Sequence, residues 1–291
     1  MPDATVVLRT RLPEVCLMPK KPDPADLAVL AALLREVARD EVMPRFGRSG
    51  SSAKADGSLV TEADLAVQRR LLEACRARWP DIPLLGEEMS AAEQQHLVGD
   101  GSTAFWCLDP LDGTSNYACG FPGFAISLAL MRDGGAELAV ILDPVRDECF
   151  TAARGRGASL NGEPIAPFVP GAALSDCLAM VDFKRLPTAR IARLFDAESF
   201  RSQRNLGSVA LDWCWLAAGR YQLYLHGGQS LWDYAAGRLI ADEAGVVSAL
   251  FSPEGARALS GVGLDKRAAI AAADQGLFDR WQAFIAPPLH S

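Results

Sequence analysis

Apolar residues recur at Leu27, Leu30, Leu33, Leu34, Val37 and Ala38, the spacing of one helix face, and predict an amphipathic helix over 24–46 that ends near Pro44 and Gly47. A second helix is predicted over 62–79, with Thr61 as N-cap and Pro80 beyond its end. The period then changes. Residues 82–86, 104–108 and 125–131 are short apolar runs that read as buried strands, and 137–143 with 148–153 continue an antiparallel pattern. Arg132-Asp133-Gly134-Gly135 reads as a hairpin turn and Asn161-Gly162 as a type I′ turn. The second half alternates: strand at 177–182, short helix at 187–195, helix at 208–219, strand at 221–225, helix at 232–244 ended by Gly245, strands at 246–251 and 268–272, and a closing helix at 276–285.

Antiparallel and alternating patterns in one chain predict an α+β fold, a layered sandwich of helices and sheets with a soft boundary near 160–175. The organisation expected is a loose, proline-punctuated lead-in at 1–24, an N-terminal subdomain at 25–165 and a C-terminal α/β subdomain at 166–291. There is no internal repeat and no low-complexity segment.

At 291 residues, with 49% hydrophobic and 22% charged residues, the chain has the profile of a folded globular protein, not a disordered one. A formal charge of −7, from 29 basic and 36 acidic residues, offers no electrostatic footprint for nucleic acid or an anionic membrane. Seven scattered cysteines without a C-x-x-C pair suggest neither a disulfide framework nor a zinc site and read as reduced, mostly buried thiols. The longest apolar stretch, 124–142, is broken by the Arg132–Gly135 turn, and no signal pattern is read at the N-terminus, so a cytoplasmic protein without a membrane span is expected.

Chemistry concentrates in Leu108-Asp109-Pro110-Leu111-Asp112-Gly113-Thr114-Ser115-Asn116-Tyr117. Two acids three apart straddle a proline, where the chain is expected to turn so that both carboxylates face one locus. Two carboxylates about 4 Å apart repel by about 4 kcal/mol at an effective dielectric near 20, so such a pair needs a shared proton or a cation. With oxygen ligands and no nearby His or Cys, that cation is hard: Mg²⁺ or Mn²⁺. Gly113-Thr114, if they open a helix, offer backbone N–H groups to a phosphate.

Three further acidic clusters have ordinary explanations when taken singly. Glu87-Glu88 after the apolar run at 82–86 equally describes acids at a helix start. Thr61 and Asp64, in the stretch Asp56-Gly57-Ser58-Leu59-Val60-Thr61-Glu62-Ala63-Asp64, equally describe a capping box. Asp233 in Trp232-Asp233-Tyr234-Ala235-Ala236-Gly237 equally describes a helix N-cap.

In this order, V-T-x-x-D, G-E-E, D-P-L-D-G-T-x-N-Y and W-D-x-A-A-G resemble the inositol monophosphatase family of lithium-sensitive, Mg²⁺-dependent phosphomonoesterases. The resemblance runs from about Leu27 to Ala273 and includes Gly155–Gly162 and Gly207-Ser208-Val209-Ala210. It implies the αβαβα sandwich shared with fructose-1,6-bisphosphatases and, usually, a homodimer. By resemblance, the metal ligands fall on Glu87, Asp109, Asp112, Asp233 and the Leu111 carbonyl, for two or three ions. The phosphate falls on the amides of Gly113 and Thr114, and activation of water on Asp64, Thr114 and Glu87.

Two departures concern the substrate. The K-x-D-G-S-x-V-T-x-A-D form around Ser58 is closer to bisphosphate-nucleotidase and histidinol-phosphatase branches, whereas Thr114-Ser115-Asn116-Tyr117 is closer to the inositol branch. His226 stands seven residues before Asp233, where inositol-type members carry a Glu that touches ring hydroxyls, and imidazole cannot replace a carboxylate acceptor. His226 is therefore expected either in the substrate pocket, with Ser208, or as a loop histidine capping the strand before it. Lys184, Arg185 and Arg204 fall where leaving groups are read, with Arg204 rather at a subunit contact by family analogy. The reading expected is Mg²⁺-dependent hydrolysis of a small phosphorylated alcohol such as inositol 1-phosphate. The alternatives are a 3′(2′),5′-bisphosphate nucleotide, histidinol phosphate or fructose 1,6-bisphosphate as substrate, or a regulatory binding protein of the same fold.

Overall fold

The computed structural model describes residues 21–48, 50–54, 59–99, 104–196 and 199–289. Most of the expected lead-in, Cys16 and the Asp56–Ser58 stretch lie outside the described residues. The first helix is shorter than its apolar pattern. A single turn at Pro24–Asp26 leads into α1 (Leu27–Val37), which widens at Ala38–Val42 and tightens at Met43–Arg45. Pro44 is the cause: it lacks an N–H and its ring crowds the preceding turn.

A small hairpin of β1 (Ser51–Ala53) and β2 (Leu59–Thr61) precedes α2 (Glu62–Arg78). Next come β3 (Leu84–Gly86), α3 (Ala91–Val98), β4 (Phe105–Asp112), α4 (Thr114–Ala118), β5 (Ala125–Arg132), β6 (Gly135–Asp143), β7 (Glu148–Ala153), β8 (Ala158–Leu160) and β9 (Glu163–Pro164). These seven strands lie in one sheet in chain order, antiparallel throughout except for the parallel pair β3–β4. The two expected tight turns form, with positive φ at Asp133-Gly134 and Asn161-Gly162. The chain continues through β10 (Leu178–Asp182), α5 (Thr188–Arg193), β11 (Ser202–Arg204), α6 (Val209–Ala217), β12 (Leu223–Gln229), α7 (Leu231–Ala244), β13 (Val247–Phe251), β14 (Arg267–Ala272) and α8 (Gln275–Ile285). The second sheet is ordered β11-β10-β12-β14-β13, parallel through β12 and antiparallel at β14 and β13.

Side-chain alternation assigns the layers. On β5, Ile126, Leu128 and Leu130 join α1 and α2 in one apolar cluster, whereas Ala125, Ala129 and Met131 face the other way. That second face meets α6 and α7, which also receive Met180, Tyr224, Ala269 and Ala271 from the five-stranded sheet. The far face of that sheet, with Val181, Leu225, Ile270 and Ala272, is covered by Leu277, Phe278 and Trp281 of α8. The order is thus helices, sheet, helices, sheet, helices: an α+β sandwich with buried, near-continuous apolar strands in both sheets. Five of the six described cysteines are buried and Cys119 is exposed; all six are free thiols. Among the described residues no helix is long and apolar enough to cross a membrane.

The structure corrects two local expectations. Asp109-Pro110-Leu111-Asp112 is not a turn: β4 runs on to Asp112, and its pairing with β5 slips between Asp109 and Asp112, where Pro110 cannot donate to the ladder. The strand expected at 221–225 extends to Gln229 through a register shift at Gly227-Gly228, so His226 lies within β12 and not in a loop.

Candidate active site

Parallel pairing brings the first two acids together. Gly86 stands opposite Leu108 in the β3–β4 ladder, and the Glu87 amide donates to the Leu108 carbonyl at 3.1 Å, which sets Glu87 beside Asp109. The turn carrying Glu87 is fixed from outside. Gln94 of α3 donates to the carbonyls of Gly86 and Glu87 (3.0 and 3.2 Å), and Gln68 of α2 accepts from the Glu88 amide at 3.1 Å. The Gln68 amide fills the space that any side chain at residue 86 would need. Glu87 and Glu88 therefore do not start a helix; Ser90 caps α3 instead.

At the end of β4 the slip turns Asp109 and Asp112 to one locus, the outcome expected of a turn reached by a different route. Asp109 Oδ1 accepts from the Leu111 amide at 3.0 Å. Asp112 Oδ2 accepts from Ser208 Oγ and, at 2.8 Å, from the Ala210 amide at the start of α6. Gly113 then takes φ +91°, and a Cβ there would stand 2.8 Å from the Gly123 carbonyl, so only glycine leads cleanly into α4. Asn116 ties this corner to the loop before α6, donating to the carbonyls of Gly123 (2.5 Å) and Leu206 (2.7 Å).

The Thr61–Asp64 capping box forms, and it coexists with a site contact. Asp64 Oδ2 accepts from the Thr61 amide (2.8 Å) and hydroxyl (2.6 Å), while Oδ1 lies 3.3 Å from Thr114 Oγ1. Thr114 Oγ1 also stands 3.0 Å from the Leu111 carbonyl. Asp233 is not an N-cap. Ser230 caps α7, and Asp233 sits three residues in, accepting from the Ser230 amide at 2.8 Å in a second capping box.

Electrostatically these acids form one unit. Burial first, then the charges of Glu87, Asp112 and Asp233, hold the Asp109 carboxyl well above the usual range. Burial pushes Asp112 up to about 6, although the Ser208 hydroxyl and the α6 amides pull it down. Burial, then Asp112 and Glu87, push Asp233 up to about 7. Asp64 is raised by burial against the bonds from Thr61.

One cation reaches this group that the sequence did not single out. Lys54 Nζ donates to Glu87 Oε1 (2.8 Å) and Glu88 Oε1 (2.6 Å). Burial opposes its charge, but the two carboxylates outweigh burial and hold the ammonium above its ordinary range. Its only signal in the sequence is its place at the head of the K-x-D-G-S stretch.

The two residues expected in the substrate pocket are engaged by the protein itself. The Ser208 hydroxyl is spent on Asp112. His226 is 2% exposed, its Nε2 lies 3.1 Å from Asp182 Oδ2, and its Nδ1 accepts from the Gly228 amide at 3.2 Å. Arg185 also pairs with Asp182, at 3.3 Å. Arg204 lies on the edge strand β11, bonded to Ser202 and the Gln203 carbonyl, away from these contacts.

No three His, Cys, Asp or Glu side chains of the described residues close into a ready ligand shell. The donor set nevertheless fits a hard divalent cation. All its groups are oxygens, three of its carboxylates are raised by burial and then by neighbouring carboxylate charge, and Asp109 and Asp233 each use one oxygen on the backbone and leave the other without a described partner.

Comparison with known proteins places the chain in a family and agrees with the fold. The sequence profile described as Inositol monophosphatase family matches residues 25–285. A protein named Nus factor SuhB from Pseudomonas aeruginosa is 38% identical over 192 residues, 64% of this chain and 70% of that protein. Inositol monophosphatase 1 of Solanum lycopersicum is 38% identical over 210 residues, 69% of this chain and 75% of that protein. Among solved structures, an IMPase from Thermotoga maritima superposes with a TM-score of 0.73 at 30% identity, covering 90% of this chain and 96% of that one.

Proposed function

The chain belongs to the inositol monophosphatase family, and from that premise we propose that it is a Mg²⁺-dependent phosphomonoesterase acting on a small phosphorylated metabolite, inositol 1-phosphate being the reference substrate. The observation that carries this reading is the set Glu87, Asp109, Asp112 and Asp233. Asp109 and Asp112 are buried, and burial with the neighbouring carboxylate charges holds Asp109, Asp112 and Asp233 above the usual carboxylate range, a state that protons or cations relieve. Glu87, Asp109 and the Leu111 carbonyl would hold one cation, and Asp109, Asp112 and Asp233 would hold a second, with Mn²⁺ an acceptable substitute for Mg²⁺.

Bound Mg²⁺ supplies Lewis-acid neutralisation of phosphate oxygens and lowers the pKa of coordinated water. The chain supplies the rest. The amides of Gly113 and Thr114, at a helix start without intrahelical partners, face the phosphate. Thr114 Oγ1 orients the attacking water and passes its proton towards Asp64 Oδ1, whose raised affinity for protons suits a base. Ser208 keeps Asp112 pointed into the site. No covalent nucleophile is needed for an in-line displacement. The test is phosphate release from a panel of phosphomonoesters with Mg²⁺ titrated, comparing wild type with Asp112→Asn and Asp233→Asn. No turnover of any substrate, or full activity in both variants, overturns the reading.

The name Nus factor carried by bacterial relatives favours one second reading, a regulatory protein of the same fold. Retention of all four carboxylates favours the enzyme. An Asp112→Asn variant that lost phosphatase activity yet kept every cellular phenotype of the wild type would favour the regulatory role. A cytoplasmic homodimer is part of the proposal, tested by mass measurement in solution.

A further inference from the structure

Beyond the carboxylates, β10 ends at Asp182, in register with His226 of the parallel strand β12. In a pocket that reads neutral hydroxyls, a carboxylate here would accept hydrogen bonds. Asp182 cannot do so freely: its carboxylate is taken by His226 Nε2 (3.1 Å), Arg185 Nε (3.3 Å) and the Lys184 amide (2.9 Å). The imidazole is equally committed, since its other nitrogen accepts from Gly228. The backbone seals this arrangement, because the Arg185 carbonyl occupies the place a side chain at Gly227 would need. What faces outwards is cationic. The Lys266 Cβ lies over Gly228, 3.9 Å from where a side chain there would begin, and Lys266 acts electrostatically on both His226 and Asp233. Lys184, Arg185 and Lys266 are exposed, and among the described residues neither Lys184 nor Lys266 pairs with a carboxylate.

We propose that this corner is a subsite for a second anionic group on the leaving group, a carboxylate or a second phosphate, bound by Lys266 with Arg185. The preferred substrate is then a phosphorylated hydroxy acid or a bisphosphate over the monophosphate of a neutral polyol such as inositol 1-phosphate. This deepens the phosphatase reading and rests on it.

The test compares kcat/KM of the full chain with Mg²⁺ on 2-phosphoglycerate and fructose 1,6-bisphosphate against glycerol 2-phosphate and inositol 1-phosphate. The anion-bearing substrates are expected to lead by roughly tenfold, the size of one charged contact. In Lys266→Met that lead disappears, through KM, and Lys266→Arg restores most of it. Loss confined to 2-phosphoglycerate identifies a carboxylate, and loss confined to fructose 1,6-bisphosphate a phosphate. A wild type that prefers the neutral pair, or a ratio unchanged in Lys266→Met, overturns the subsite. If no substrate turns over, the enzymatic reading fails and the subsite is read by calorimetric binding of the same four compounds. Equal Kd for anionic and neutral compounds, or for wild type and Lys266→Met, then overturns it.

Discussion

Lys54 and Glu87 form an ion pair of 2.8 Å at the mouth of the carboxylate cluster, so a protein cation sits on a residue proposed to bind a metal ion. A divalent ion arriving at Glu87 must compete with that ammonium. Lys54→Met is expected to bind the first Mg²⁺ several-fold more tightly, on the order of one charge contact. Calorimetric titration of the unreacted protein checks this; weaker binding in the variant refutes the competition.

Proton linkage gives a second prediction. Asp112 and Asp233, at about 6 and about 7 in the fold, have ordinary carboxylate values near 4 when unfolded. Because the folded values are raised, their contribution to stability is fully present below about pH 4 and is lost as pH rises through 6 to 7. In the presence of a chelator the melting temperature should therefore fall between pH 5 and pH 8, and saturating Mg²⁺ should remove the fall. Mg²⁺ binding at pH 6 should release protons, seen as a binding enthalpy that varies with the buffer. A chelated protein that melts higher at pH 8 than at pH 5 would contradict this.

Ser208 tests the outer support of the site. Its hydroxyl and the Ala210 amide hold the same oxygen of Asp112, so Ser208→Ala should weaken Mg²⁺ binding by roughly tenfold, the usual effect of losing such a partner. The fold should persist, since Ala210 still bonds the carboxylate. A Ser208→Thr variant that restores affinity would separate this role from general destabilisation.

Gly237 tests the middle layer. A Cβ there would lie 2.6 Å from the Trp213 Cβ, where α6 and α7 pack. Gly237→Ala is expected to cost about 1–3 kcal/mol by overpacking and to lower the melting temperature by several degrees. An unchanged melting temperature would mean that the helices separate at no cost.

Much of this was legible from residue spacing. The helix and strand patterns gave the layers, and the acids gave the locus. What escaped depends on partners distant in sequence. Whether Asp109-Pro110-Leu111-Asp112 turns or slips is decided by the pairing of β4 with β5, and no local pattern records that. α3 has a weak apolar face and is held by Gln94 bonding to the Glu87 turn, a contact rather than a period. His226 reads as a pocket residue by position, yet Asp182, 44 residues earlier by register of two parallel strands, takes its ring. Thr61–Asp64 shows the opposite case: the ordinary helix-capping explanation and the chemical one are both present in the same carboxylate, one oxygen each.

The sandwich has a consequence for the time order of synthesis. Asp109 and Asp112 belong to the seven-stranded sheet and Glu87 to the turn directly after its strand β3, but Asp233 stands at the start of α7, which packs against that sheet from the middle layer, and the oxygen of Asp112 is held by Ser208 and the first turn of α6. A chain emerging from the ribosome therefore carries three acids of the set and lacks the fourth until α7 has cleared the exit and docked. The four-acid set is complete only when the middle layer is in place.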